Sequence, residues 1–126
     1  MAVGTSGICG TFKREALAGI HFLTAHTRTG SSAISADAIK IAMFTNSSSI
    51  DADTTGYTVG NEVSGTNYTA GGNTLASITI GLGDNSSAVP TAFVDCADTT
   101  WANSTISNAR GALIYNGTLA TAGTGS

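Results

Sequence analysis

Beyond residue 37 the apolar residues of this chain alternate with period 2, in short runs that each end in a cluster of turn-forming residues. That rhythm leaves few folds open. In residues 38–45, Ile39, Ile41 and Met43 fall on one side and Lys40, Ala42 and Phe44 on the other, the pattern of a strand with one face buried. Residues 75–80, 88–96 and 109–116 read the same way. Turns come from Asn46-Ser-Ser-Ser, Asp51-Ala-Asp-Thr-Thr-Gly, Thr69-Ala-Gly-Gly-Asn, Gly81-Leu-Gly-Asp-Asn-Ser-Ser and Asp98-Thr-Thr. Short strands joined by turns, with no helical pattern between them, predict a mainly β domain: an antiparallel β-sandwich of jelly-roll type over residues 38–116. Composition agrees. With 41% hydrophobic residues the chain is no disordered polyampholyte, with 10% charged it is no coiled coil, and its 16 glycines show no three-residue period.

One helix precedes this body. Over residues 11–23, Phe12, Ala16, Leu17, Ile20 and Leu23 recur at helical spacing, with Thr11 placed to cap the first turn and Gly19 weakening the interior. Residues 24–36 are small and polar without period, which predicts a loop or arm. Residues 117–126 are mostly Thr, Ala and Gly, which predicts a frayed, flexible tail. The 126 residues form one domain.

The net charge of −3 is unevenly placed. Residues 1–30 carry Lys13, Arg14 and Arg28 against Glu15, whereas the rest holds Lys40 and Arg110 against seven acids. Five scattered cations give no basic stripe for nucleic acid. Cys9 and Cys96 match neither a zinc spacing nor a CxxC motif, and two separately buried thiols are favoured over a disulfide. The start does not read as a secretory signal and no run is long enough for a membrane helix, which together predict a chain made in a cytoplasm and soluble until it assembles. Five Asn-x-Ser/Thr sequons reflect the abundance of those residues.

Each chemical motif has a plainer explanation. Gly81-Leu-Gly-Asp-Asn-Ser resembles a phosphate loop, but Pro90 and another strand follow where a helix is needed, so a hairpin turn is favoured. Asp51/Asp53 and Asp95/Asp98 have no EF-hand spacing and read as turn and strand-end residues. His21 and His26 lack a nucleophile elbow, and a hydrolase built on them is the weakest reading. Trp101 reads as rim packing, its N–H near a backbone acceptor, with carbohydrate stacking by Trp101, Tyr57 and Tyr68 as the alternative. No catalytic, metal-binding or cofactor residue is predicted.

Three blocks carry a resemblance: Phe12-Lys-Arg-Glu-Ala-Leu-Ala-Gly-Ile-His before Ile39-Lys-Ile-Ala-Met-Phe-Thr; Asn61-Glu-Val-Ser-Gly-Thr-Asn-Tyr-Thr-Ala-Gly-Gly-Asn-Thr-Leu; and Ala92-Phe-Val-Asp-Cys-Ala-Asp-Thr-Thr-Trp before Ala109-Arg-Gly-Ala-Leu-Ile-Tyr-Asn. Together they resemble a family of small structural proteins of tailed bacteriophages. The resemblance implies a non-enzymatic virion component, assembled in the bacterial cytoplasm. Its expected form is a capsid decoration (cement) protein on the head surface, with a tail, neck or head-fibre part, or a receptor-binding module, as alternatives. The arm at residues 25–36 and Cys96, where relatives carry an aromatic, depart from the family pattern. Similar chains also continue past Asn116 into another apolar strand. The expected partners are the major capsid protein and further copies of the chain, as a homotrimer, with no nucleic acid or membrane. The expected capsid-facing residues are Phe12, Lys13, Arg14, His21 and Arg28, on the net positive helix and arm.

Overall fold

The computed structural model describes residues 7–27, 29–83 and 91–121. Their elements are, in chain order, α1 (Gly10–Leu17), β1 (His26–Thr27), β2 (Ala33–Ile34), β3 (Ile39–Thr45), β4 (Gly65–Thr66), β5 (Asn73–Thr74), β6 (Thr79–Leu82), β7 (Ala92–Asp95), β8 (Thr105–Ile106), β9 (Ala109–Asn116) and α2 (Gly117–Thr121). The protein is mainly β. Among the described residues its strands pair antiparallel in four sheets: β1–β2, β5–β3–β9, β4–β8 and β6–β7.

β3 and β9 form the spine, in register from Ile39 opposite Asn116 to Phe44 opposite Gly111, with an irregularity at Phe44/Thr45. Residues directly opposite share a face. Lys40, Ala42 and Phe44 therefore lie with Tyr115, Leu113 and Gly111, and this face holds the core: Ala42, Phe44 and Tyr115 are buried, with Ile50, Tyr57, Leu113 and Ala120 packed against them. The core thus sits on the side that carries a lysine. Lys40 accommodates this by laying its stem against Gly117, where a Cβ would come within 2.7 Å of Lys40 Cδ. On the opposite face Ile39 and Asn116 are buried at one end, but Ile114 is 59% exposed.

Several boundaries differ from the sequence expectation, each for a local reason. α1 ends at Leu17 instead of running to Leu23, because Gly19 takes a left-handed φ of 70°. The Gly19 N–H then donates to Ala16 O and the Ile20 N–H to Glu15 O, the paired bonds of a Schellman stop. Gly19 terminates the helix; it does not weaken its interior. Cys9, not Thr11, occupies the N-cap position, and the Thr11 hydroxyl donates to Thr54 O at 3.2 Å. The arm contains the β1–β2 hairpin and is closed at its base: the Phe22 N–H donates to Asp37 Oδ2 and the Asp37 N–H to Phe22 O.

The expected strand at residues 75–80 is divided by Ser77, whose φ is 53°. Before it, the Leu75 N–H donates to Ile39 O beside β3; after it, β6 pairs with β7. The segment 117–121 is helical, not frayed. Asn116 Oδ1 accepts from the N–H groups of Thr118 and Leu119, a side-chain N-cap that starts α2 and seats Ala120 on the core. Residues 122–126 of the expected tail lie outside the described residues.

Candidate interaction surface

The polar clusters come first, because any chemistry would have to come from them. Glu62 is carried to the core face by a bridge with Phe44, just after Asn61 turns the chain at a φ of 61°. Its Oε2 accepts from the Tyr57 hydroxyl at 2.5 Å, and its Oε1 accepts from the Tyr68 hydroxyl at 2.6 Å and the Gly71 N–H at 2.8 Å. The Tyr115 hydroxyl donates to Gly71 O, and the rings of Tyr57 and Tyr115 stack with centroids 4.5 Å apart. All three tyrosines of the chain therefore gather around one carboxylate. Burial, and then the Glu62 hydrogen bond, push Tyr68 up to about 12 and Tyr57 further still, and burial also raises Tyr115.

Gly72 lets this turn close. Its φ is 64°, and a Cβ there would stand 1.9 Å from Ile41 O. The cage is a clasp that binds the 57–74 loop to the sheet, with its carboxylate oxygens occupied by donors of the same chain. Sequence reasoning quoted Glu62 within a block but gave it no role; the convergence of every tyrosine on one acid is a long-range fact with no local period.

The second cluster holds His21. Its ring stacks on Phe12 at 4.7 Å, its Nε2 is 3.1 Å from Glu15 Oε2, and its Nδ1 is 3.1 Å from Asn116 Nδ2, which also donates to Asp37 Oδ2. The His21 side chain is 1% exposed. His21 therefore ties α1 to the end of β9 and cannot reach a partner, a correction to its place among the capsid-facing residues. Phe12 is half-buried against it. Lys13 and Arg14 remain exposed on α1, Arg14 touching Glu15 in a surface pair of little energetic weight. Arg28 lies outside the described residues.

The other candidates have local roles. Asp51 Oδ1 accepts from the Asp53 N–H and Asp95 Oδ1 from the Cys96 N–H, as turn and strand-end acids do. Among the described residues no group of three or more His, Cys, Asp or Glu is placed to hold a metal ion. The Gly81 loop leads from β6 to the antiparallel β7, not to a helix, while residues 84–90 lie outside the described residues. Trp101 packs beside Tyr68 with centroids 5.7 Å apart. Its indole N–H is buried and finds no acceptor among the described residues, contrary to the expected backbone partner. Cys9 and Cys96 are unbonded and half-buried, and both line one groove rather than separate interior sites.

The fold leaves several large apolar side chains uncovered. α1 has no buried residue, and Leu17 is 92% exposed beside Lys13 and Arg14. In the β6–β7 ribbon every residue but Gly81 is exposed, and Ile80 lies opposite Val94 and Leu82 opposite Ala92 on one face. A groove of about 420 Å³ runs from Ile8 and Cys9 past Val94 and Cys96 to Ala112 and Ile114. An eight-residue helix and a two-stranded ribbon are each marginal alone in water, so both gain from being covered. Among the described residues no helix is long and apolar enough to cross a membrane. None of the protein-family models, curated proteins or solved structures compared with this chain matches it.

Proposed function

We propose that this chain is a non-enzymatic structural component of a tailed-phage virion: a decoration protein that docks on the outer head surface and reinforces the shell. The observation that carries this reading is α1, a helix held in place yet presented instead of packed. The Gly10 N–H bonds to Ala52 O, Thr11 bonds to Thr54 O and Phe12 stacks on His21, so the helix is fixed while Leu17, Lys13 and Arg14 stand free of the body. An apolar side chain flanked by two cations suits a shallow apolar pocket on an acidic shell, a helix-in-groove contact. The family resemblance supports the same reading, with the major capsid protein as partner and trimers of the chain as the assembling unit. A single such contact is weak, but a symmetric shell repeats it, and linked copies hold by avidity. On this reading the chain is a jelly-roll-like sandwich in which the β5–β3–β9 sheet is one layer and the β6–β7 ribbon, exposed on both faces within one copy, is completed into the other layer by a neighbouring copy.

Burying one Leu side chain is worth about 1.5–3 kcal/mol, so Leu17→Asp is expected to weaken binding by roughly tenfold or more per copy. Co-sedimentation with particles purified without this protein measures it. Leu17→Asp and the double reversal Lys13→Glu/Arg14→Glu should both lose binding while keeping the wild-type circular dichroism spectrum. Undiminished binding by both would refute the reading.

A further inference from the structure

We infer that the β6–β7 ribbon and the adjoining groove form the contact between copies of this chain, each ribbon covered by the ribbon of a neighbouring copy. This rests on the self-associating part of the proposed function and not on docking through α1, which uses a different surface. Ile80, Leu82 and Val94 share one face of the ribbon, and Val94 lines the groove together with Ile8 and Ile114; all five aliphatic side chains are more than half exposed. The other ribbon face presents Phe93, 45% exposed, lying so close over Gly81 that a Cβ there would meet its ring at 2.6 Å. A ribbon exposed on both faces is not finished by one flat partner; stacking ribbon on ribbon, about 10 Å apart, gives each face a layer.

Charge points to the same occupant. Among the described groove-lining residues Asp95 is the single carboxylate, and no Lys, Arg or His is among them. The Ile80, Leu82, Ala92 and Val94 face carries no charge. A nucleic acid, an anionic headgroup or an acidic peptide would find no cation to pair with, and a basic peptide would find one carboxylate, an oxygen of which already accepts from the Cys96 N–H. A second copy offers the same strand length, the same alternation and the same lack of charge, and in a trimer one ribbon face of each copy would meet a different face of the next. The size fits a repeated contact. Five aliphatic side chains, each more than half exposed, offer on the order of 300 Å² per copy, against the roughly 800 Å² per partner of a stable free-standing interface. The isolated chain should therefore associate weakly, and firmly only where a lattice brings copies together.

The two thiols report on this surface, since Cys9 and Cys96 both line the groove. Sedimentation velocity from micromolar to millimolar concentration, combined with the rate at which an aromatic disulfide reagent modifies each thiol, tests the inference. Wild-type protein should gain mass with concentration while both thiols slow by at least about tenfold. Ile80→Asp and Val94→Asp, both at exposed positions, should stay monomeric with rates independent of concentration. Three results would overturn it: no gain in mass up to millimolar, a gain in mass with unchanged thiol rates, or protection of the thiols by neutral phosphatidylcholine vesicles while the chain is still monomeric. Loss of association with particle binding still dependent on Leu17 removes this inference alone. Intact association without particle binding removes the docking role alone.

Discussion

Replacing Glu62 by alanine is expected to lower the stability of the fold by about 4 kcal/mol, the largest effect of any single polar substitution considered for this chain. The carboxylate accepts from two phenols and one backbone N–H. Hydrogen bonds to a charged acceptor contribute roughly 1.5–3 kcal/mol each, and truncation leaves three donors facing one another without an acceptor. The three act as a network, so their contributions do not simply add. Loss of the clasp also frees the loop that carries Gly72 up to the edge of β3. For a domain of this size the change corresponds to a fall of roughly 15 °C in Tm. Glu62→Gln keeps the volume and one acceptor and should cost about half as much. Thermal and urea denaturation followed by far-ultraviolet circular dichroism measure both. A loss below about 1 kcal/mol for the alanine variant would mean that the cage adds nothing to the fold.

In alkali the same cage predicts an early loss of stability. Phenols of the unfolded chain ionise near pH ~10. Tyr68 is held up to about 12, with Tyr57 above it and Tyr115 raised as well, through burial first and the Glu62 carboxylate second. Above pH ~10 the unfolded chain therefore binds fewer protons than the folded one, and stability falls as pH rises. The contribution is complete below pH ~10, and each held phenol then removes about 1.4 kcal/mol per pH unit. Tyr57 and Tyr68 together, over the two units up to pH ~12, subtract on the order of 5 kcal/mol, enough to unfold a domain of ordinary stability. Phenolate absorbance and circular dichroism should change together in one step close to pH ~12. Tyrosines that ionise near pH ~10 while the strands persist would contradict the cage.

The longer strands β3, β6, β7 and β9 were legible; the five two-residue strands and the helix ends were not. β3 and β9 follow the period-2 pattern because one face of each is packed, and alternation is a local signal. The Phe12, Leu17, Ile20 and Leu23 stripe was equally regular, yet it does not report packing along one helix: Gly19 turns the chain left-handed, and Leu17 ends 92% exposed. An apolar stripe is no measure of how deeply the folded chain buries it. The α2 helix depends on Asn116, whose amide caps the helix, meets His21 and bonds Asp37, so its start is fixed by residues 79 and 95 positions away in the chain. The turn residues were seen, but their use was not: Asn61, Asn67, Asn103 and Asn108 all have positive φ, which explains the asparagine-rich loops through backbone geometry. The two later resemblance blocks meet in space, where Tyr68 lies beside Trp101 and the Asn73 side chain donates to Thr100 O. That meeting is a property of the folded chain, invisible to any window along it.

Amide hydrogen exchange over residues 10–17, with and without saturating phage particles, tests the proposed docking role of α1 most directly. Free chain should exchange these amides far faster than those of β3 and β9, since α1 buries no side chain, and particles should slow them by at least about tenfold, equivalent to 1.4 kcal/mol. If α1 is already as protected as the central strands in the free chain, or exchanges identically once particles are added, the helix is not the element that is covered and the account fails.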